Sequence, residues 1–211
     1  MNWREHYNLR GKHALLGASK YHWVNYDSDE QFIKKVCSES ATDIGTIIHA
    51  FAADRIKFGL KLNKHEKKDM IFELLRRGIS RIVIDSIDTD LMFDNLSAYV
   101  NDSIMQRMSP EIILYYSDNC FGTADAISFE NNKLYIYDLK TGVTPAHMEQ
   151  LEIYAGLFCL EYRYKPKDIF MELRIYQNND VLVYNPEPKD ILAVTDKIVR
   201  ANNFIESIKE E

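Results

Sequence analysis

The chain has few cysteines, glycines and prolines, and no long apolar run. Its three cysteines, Cys37, Cys120 and Cys159, are scattered and form no CxxC pair. This pattern indicates reduced thiols in a cytosolic protein and argues against a disulfide frame or a zinc site. With 8 glycines and 5 prolines among 211 residues, the chain is not a low-complexity protein. No apolar run reaches the ~18 residues of a membrane span, so we expect one globular domain over residues 1–211 and no membrane contact.

The chain also lacks an excess of basic residues. Its formal net charge is −6, which argues against a protein that coats nucleic acid along its length. The charge does not exclude an enzyme that holds nucleic acid locally, because an acidic metal site lowers the total. The first residues, Met1 to His6, contain no apolar signal core, and we therefore expect a cytoplasmic protein.

The first half of the chain, residues 1–109, is predicted to be mostly helical. Apolar residues recur at helical spacing in Ile44–Arg55, and Lys64–Gly78 and Asn95–Arg107 show similar patterns. The segment Ile82–Leu91 is ambiguous, since its apolar residues alternate partly like a strand while its aspartates could cap helices.

The second half, residues 110–211, has a different pattern. Three short apolar, aromatic-rich runs predict sequential strands, with a turn at Glu130–Asn132 between the last two. The predicted elements are the strands Glu111–Tyr116, Gly122–Phe129 and Lys133–Tyr137, a helix Pro145–Tyr162, a strand Phe170–Tyr176, a short further strand Val181–Tyr184 and a helix Asp190–Lys209. The order β-β-β-α-β-α and the helical first half predict an α/β or α+β fold with a helical N-terminal region.

Two aspartates on the predicted hairpin suggest a metal site. Asp125 and Asp138 lie thirteen positions apart, and a hairpin can bring them together at one end of the sheet. Two close carboxylates repel each other, so the pair favours a bound cation such as Mg²⁺ or Mn²⁺. Lys140 shares a strand face with Asp138. A lysine there could position or deprotonate a metal-bound water or offset the charge of a phosphate, which is the chemistry of phosphodiester hydrolysis.

Four short motifs follow one another along the chain. They are Gly45-Thr46-Ile47-Ile48-His49, Gly122-Thr123-Ala124-Asp125, Asp138-Leu139-Lys140, and Gln150-Leu151-Glu152-Ile153-Tyr154. Over roughly residues 40–180, this series resembles the PD-(D/E)xK nuclease superfamily, and in particular its RecB-like exonuclease branch. The resemblance implies a restriction-endonuclease-like core with a mixed central sheet flanked by helices.

The resemblance also implies roles for single residues. His49, Asp125 and Asp138 would ligate the catalytic metal, with the backbone carbonyl of Leu139 as a further ligand. Lys140 would orient or activate the attacking water and stabilise charge in the transition state. Asp125, Asp138 and Lys140 are therefore the predicted catalytic residues.

Three more residues have open alternatives. Gln150 and Tyr154 share a helix face and would contact the DNA backbone or the groups around the metal, although helix surfaces often carry Gln and cores often take Tyr. Glu111 is either a second carboxylate near the metal or an exposed glutamate at a strand end. The basic residues Lys64–Lys68, Arg76, Arg77 and Arg81 are either a solvated face or contacts for DNA phosphates.

The function implied by the resemblance is that of a Mg²⁺- or Mn²⁺-dependent deoxyribonuclease. Such an exonuclease would process DNA ends in recombination, repair or phage DNA metabolism, in the cytoplasm of a bacterial cell and with a single-strand annealing or recombination protein as a partner. The cysteines are not spaced for an iron–sulfur cluster, and no Walker motif is present, so we expect neither a cluster nor ATP. The alternatives are a structure-specific endonuclease on the same fold and a DNA-binding or assembly subunit without turnover.

Overall fold

The computed structural model describes residues 7, 18–142 and 144–209. Short 3₁₀ turns occupy Ala18–Asn25, Lys64–Glu66 and Pro166–Asp168. The remaining elements are, in chain order, α1 (Asp29–Lys57), α2 (Lys67–Arg76), α3 (Arg81–Ser86), α4 (Thr89–Met105), β1 (Ser109–Ser117), β2 (Cys120–Glu130), β3 (Lys133–Leu139), α5 (Glu149–Tyr162), β4 (Phe170–Gln177), β5 (Asp180–Tyr184) and α6 (Pro188–Lys209).

The five strands form one mixed sheet in the order β1-β2-β3-β4-β5. Neighbours are antiparallel except β3 and β4, which are parallel. Parallel neighbours need a crossover, and α5 lies in that connection. The predicted mixed α/β fold with a helical N-terminal region is confirmed. The short further strand predicted at Val181–Tyr184 is present as β5, between β4 and α6, so the order of the second half is β-β-β-α-β-β-α. The single-domain assignment stays a prediction.

Two apolar cores cover the two faces of the sheet. The first contains the buried faces of α1, α2 and α4 together with Ala126, Tyr137 and Leu139 of the sheet. The second contains α5, α6 and the opposite face of the strands, including Ile136 and Leu173. The alternation of side chains along each strand therefore sends successive residues to different cores. The helices of the first half and the helices of the second half therefore pack on opposite faces of the sheet.

Local signals explain where several elements begin and end. Asp88 accepts hydrogen bonds from the amides of Asp90 and Leu91, and it thereby caps α4. The ambiguous segment Ile82–Leu91 is thus the end of one helix, a cap and the start of the next. Asn131 and Asn132 both have positive φ, the backbone of a tight hairpin turn, and the turn predicted there is confirmed.

The predicted start of the helix after β3 was wrong. This helix begins at Glu149, four residues after Pro145. The segment before it is tied to the end of β4 by the side chain of Gln177, which donates to the carbonyls of Gly142 and Thr144 and accepts from the amide of Ala146 at 3.1 Å. These bonds fix the path of the segment against β4, and the helix begins after it. Among the described helices, none is long and apolar enough to cross a membrane.

The buried position of Leu173 at the centre of the sheet allows a simple test of the second core. Leu173 in β4 is 0% exposed, whereas Leu182 in β5 is 52% exposed. Leu173→Ala should lower the free energy of unfolding by about 2–5 kcal/mol, because it removes buried methyl groups and leaves a cavity. Leu182→Ala should change it by less than about 0.5 kcal/mol. Urea unfolding measures both, and equal effects would contradict the assignment of the core.

Candidate metal-dependent active site

Three acidic residues lie in one row across β1, β2 and β3. Glu111 and Asp125 lie between the paired residues Pro110–Ala126 and Ile112–Ala124. Asp125 and Asp138 come directly after the pair Ala126–Tyr137, where the pairing of β2 with β3 ends. At this point the carboxylate of Asp125 replaces a backbone partner, since its Oδ2 accepts the amide hydrogen of Leu139 at 3.0 Å. The three acids therefore lie close together where the pairing of β2 with β3 ends.

A histidine from α1 joins this row from one face of the sheet. Nδ1 of His49 lies 3.3 Å from Oδ2 of Asp125. One ligand atom each from His49, Glu111 and Asp125 lies within 4.8 Å of the other two. The helix comes this close partly because Gly45, one turn before His49, has no side chain. A Cβ at Gly45 would lie 3.2 Å from Oγ1 of Thr141.

The backbone of Glu111 is strained. Its φ of 55° lies in the left-handed region, inside a strand and in a residue with a long side chain. Such a conformation costs on the order of 1–3 kcal/mol and is maintained only where the surrounding structure imposes it. The exposed glutamate nevertheless contributes an atom to the cluster with His49 and Asp125. The carboxylate of Glu111 is therefore both exposed and next to His49 and Asp125, and its role as a metal ligand stays a prediction.

Asp138 is the buried member of the row, with 2% of its surface exposed. The ammonium nitrogen of Lys140 lies 2.9 Å from its Oδ2 and donates a hydrogen bond to its Oδ1 at 3.2 Å. Among the described residues, no side chain or backbone group makes a hydrogen bond to Oδ2. The Lys140 ammonium at 2.9 Å supplies the positive charge that this buried oxygen needs.

A chain of hydrogen bonds leads from Lys140 to α5. Lys140 donates to Oε1 of Gln150 at 2.8 Å, and Gln150 donates to the hydroxyl of Tyr154 at 3.2 Å. The ring of Tyr154 rests against Gly122 of β2, where a Cβ would lie 2.9 Å from Cε1. Both sequence-predicted α5 residues thus reach the site, and the glycine of the second motif makes room for one of them.

The electrostatics of the row are those of crowded acids. Burial raises the pKa of Asp138 to about 6, the charge of Asp125 adds to this, and Lys140 and His49 oppose it. Burial and then Asp125 also raise the pKa of Glu111. Burial lowers the pKa of His49, but its contact with Asp125 and the charges of the three acids outweigh burial and raise the pKa. Burial is thus the main cause of the shifts of Asp138 and Glu111, and the repulsion between neighbouring acids adds to it.

This donor set fits a divalent cation. Carboxylates and one imidazole suit Mn²⁺ and Mg²⁺. The cluster of His49, Glu111 and Asp125 supplies the atoms that would hold the ion. Asp138 lies next to Asp125 in the row, with its carboxylate paired to Lys140, and its role as a ligand stays a prediction. Leu139, whose carbonyl was also predicted as a ligand, is the last residue of β3, and its amide is bound to Asp125. Its role as a ligand stays a prediction.

An open cleft of about 800 Å³ gives access to the cluster. It is lined by α1 residues around His49, by Glu111, Thr123 and Asp125 of the strands, and by Arg77, which follows α2. Sequence analysis left Arg77 among the basic residues of undecided role. Tyr99 of α4 is a buried core residue, and burial, followed by the charges of Asp125, Asp138 and Glu111, raises its pKa well above its usual range. No pattern distinguishes this tyrosine from an ordinary core residue.

The contact between Gly122 and Tyr154 predicts a specific coupling. Gly122→Ala should lower the free energy of unfolding by about 1–3 kcal/mol, because the added methyl group collides with the Tyr154 ring. Gly122→Ala combined with Tyr154→Ala should cost less than the sum of the two changes, as measured by urea unfolding in a double-mutant cycle. Gly142→Ala is the control, since its added methyl meets no described atom within 4 Å. Additive effects would show that the two residues do not touch.

The raised pKa of Asp138 predicts a pH-dependent instability of the metal-free protein. The pKa is about 6 in the folded protein and lies above its unfolded value of 3.8. The folded state therefore loses stability relative to the unfolded state as the pH rises from about 4 to about 6. In EDTA, the free energy of unfolding of Asp138→Asn should rise relative to that of the wild type over this pH range, by on the order of 2 kcal/mol. Unfolding free energies measured between pH 4 and 7 test this, and a constant difference would contradict it.

Comparisons with known proteins give one match. Residues 13–177 match the family DUF2800, described as a protein of unknown function, and this segment contains every residue of the site from His49 to Tyr154. No curated protein and no solved structure matches the chain. Because the match covers more than half of its length, the chain belongs to the DUF2800 family.

Proposed function

We propose that the chain is a Mg²⁺- or Mn²⁺-dependent nuclease of the PD-(D/E)xK type that hydrolyses phosphodiester bonds in DNA. One observation carries the proposal. A lysine, Lys140, is held against the buried aspartate Asp138, at the end of a row of acids that a histidine joins. An ordinary structural ion pair would not need further acids beside it, and their mutual repulsion would destabilise it.

The residues have separate roles in this proposal. His49, Asp125, Asp138 and Glu111 would hold the cation, which when bound supplies positive charge to the scissile phosphate and lowers the pKa of a water. Lys140 has its ammonium fixed between Asp138 and Gln150, at 2.9 and 2.8 Å. From there it can orient the attacking water by a hydrogen bond or offset charge on the phosphate as that charge develops.

The α5 residues support the lysine. Lysine side chains have many conformers, and the hydrogen bond to Gln150 selects one of them. Tyr154 in turn accepts from Gln150 and is fixed against Gly122. Gln150 and Tyr154 therefore act as positioning residues, and their outward polar atoms can also meet the backbone of the substrate.

Access to the site agrees with a polymeric substrate. The cleft is open, and the Arg77 guanidinium lines it together with the acids. Arginine beside a carboxylate-bound cation suits a phosphodiester, whose charge both can share. The resemblance to RecB-like exonucleases further supports action at DNA ends, which covalently closed circular DNA can test.

The central experiment compares Mn²⁺-dependent cleavage by wild type and Lys140→Ala. The substrates are end-labelled linear DNA and closed circular DNA. Wild type should degrade the linear form and spare the circle. Lys140→Ala, Asp125→Ala and Asp138→Ala should each lower the rate by at least about a hundredfold, because each removes a group that holds charge or the attacking water. Lys133→Ala is the control, since it changes an exposed lysine at the start of the same strand.

The possible results separate the alternatives. Cleavage of the circle would identify an endonuclease on the same fold. A folded Lys140→Ala protein that cuts at the wild-type rate would refute the assignment of the site. If wild type cuts neither DNA nor RNA in Mn²⁺ or Mg²⁺, the chain is a subunit without turnover.

A further inference from the structure

The cleft at the acids continues into a second groove at the corner between α1 and α2. The second groove has a volume of about 350 Å³, and it shares two lining residues, Asp54 and Arg77, with the cleft. Its other walls come from the end of α1 and from the last turn of α2, including Phe58 and Arg76. A substrate strand that leaves the acids in this direction would therefore meet this groove next.

Two arginines at the junction are held side by side by one carboxylate. Glu73 accepts two hydrogen bonds from Arg76, at 2.7 and 2.8 Å, and one from Nε of Arg77 at 2.8 Å. The bonds from Arg76, followed by those from Arg77, lower the pKa of Glu73 to about 2, so that it stays charged. Two guanidinium groups on one carboxylate leave one net positive charge.

The two guanidiniums remain available to a ligand. The side chains of Arg76 and Arg77 are 56% and 47% exposed. A guanidinium has five N–H donors, and the bond to Glu73 uses only the Nε hydrogen of Arg77. The remaining donors can face the groove at the place where it joins the acidic cleft. This arrangement suits a phosphate next to the scissile one.

An exposed aromatic ring lies farther along the same groove. Phe58, directly after α1, is 66% exposed, and its ring lies 5.9 Å from the ammonium of Lys57. Leu60 beside it is also largely exposed. A phenylalanine in water next to basic side chains is the combination found in sites that stack unpaired bases while holding the backbone. A duplex hides the faces of its bases and could not use this ring.

The charge of the groove agrees with an anionic occupant. The basic residues at the groove are Arg55, Arg76 and Arg77, with Lys57 beside Phe58. The acids are Asp54, Glu73 and also Asp69, which lies 3.4 Å from Arg55. The basic side chains exceed the acids by one, in a chain with a net charge of −6. The groove therefore attracts an anionic nucleic-acid strand.

We infer that this groove binds the single-stranded part of a nucleic acid whose phosphodiester lies at the acids, with Arg77 and Arg76 on a phosphate and Phe58 stacked on a base. The inference rests on the proposed function and specifies its substrate as an unpaired strand. Glu73 is a positioning residue that holds both guanidiniums.

Binding can be measured separately from cleavage. The probe is a fluorescent single-stranded oligonucleotide of about 16 nucleotides, in Ca²⁺ and over a series of salt concentrations, with a blunt duplex of the same sequence for comparison. Phe58→Ala should weaken binding of the single strand by about fivefold to a hundredfold, and Phe58→Tyr should retain it. Arg77→Ala should weaken binding by roughly threefold to tenfold and reduce the salt slope by about 0.7.

The matched controls lie on α6. Phe204→Ala removes a phenylalanine with a similar exposure of 67%, and Arg200→Ala removes an exposed arginine. Both should bind like wild type, and circular dichroism should show every variant folded. If Phe58→Ala and Arg77→Ala bind the single strand with the affinity of the wild type, the inference is overturned, even if the wild type cleaves DNA. A duplex that binds equally well and depends equally on Phe58 also overturns it.

The two proposals fail in different ways. Suppose that the wild type shows no metal-dependent cleavage and that both groove variants bind the single strand more weakly than the wild type does. The binding site then stands and the nuclease proposal is wrong. If the groove variants affect neither binding nor cleavage of single strands while Lys140→Ala abolishes cleavage, the nuclease proposal stands and the groove is not its strand path.

Discussion

The row formed by Glu111, Asp125 and Asp138 is the constraint on which the rest of the site depends. Three acids on adjacent strands repel one another, and the third is almost completely buried. The fold keeps them together by using the end of the β2–β3 ladder, where the Asp125 carboxylate takes the amide of Leu139. The raised pKa of Asp138 and the strained backbone of Glu111 are the energetic consequences. A divalent cation would relieve the repulsion, and this is the physical reason to regard the row as a metal site.

The two helices that complete the site approach the sheet from opposite faces, and each does so at a glycine. Gly45 lets α1 come close to Thr141, which brings His49 to Asp125. Gly122 leaves room for the ring of Tyr154, which fixes the α5 side chains next to Lys140. The glycines of the first two motifs therefore allow close packing, while His49 and Asp125 at the motif ends meet in the cluster with Glu111.

The surroundings of the site divide into an acidic centre and a basic flank. The acids would hold cations, and the arginines on Glu73 offer positive charge along one exit from the cleft. This division allows a chain with net negative charge to hold a polyanion at one place. All of these residues lie within the segment that matches DUF2800, so experiments on this chain bear directly on a family of unknown function.

The sequence by itself determined the mixed α/β fold, the hairpin at Asn131 and Asn132, and the short motifs, because periodicity and turn chemistry are local properties. It also indicated the acids and Lys140, since residues thirteen and two positions apart on a hairpin have a predictable relation. Only the tertiary structure decided the rest. The path of the segment before α5 is fixed by Gln177, which lies far along the chain. The positions of Glu111 and Arg77 at the cleft depend on which strands and helices pack together. Contacts between distant segments leave no local pattern, and the fold alone brings these residues to the acids.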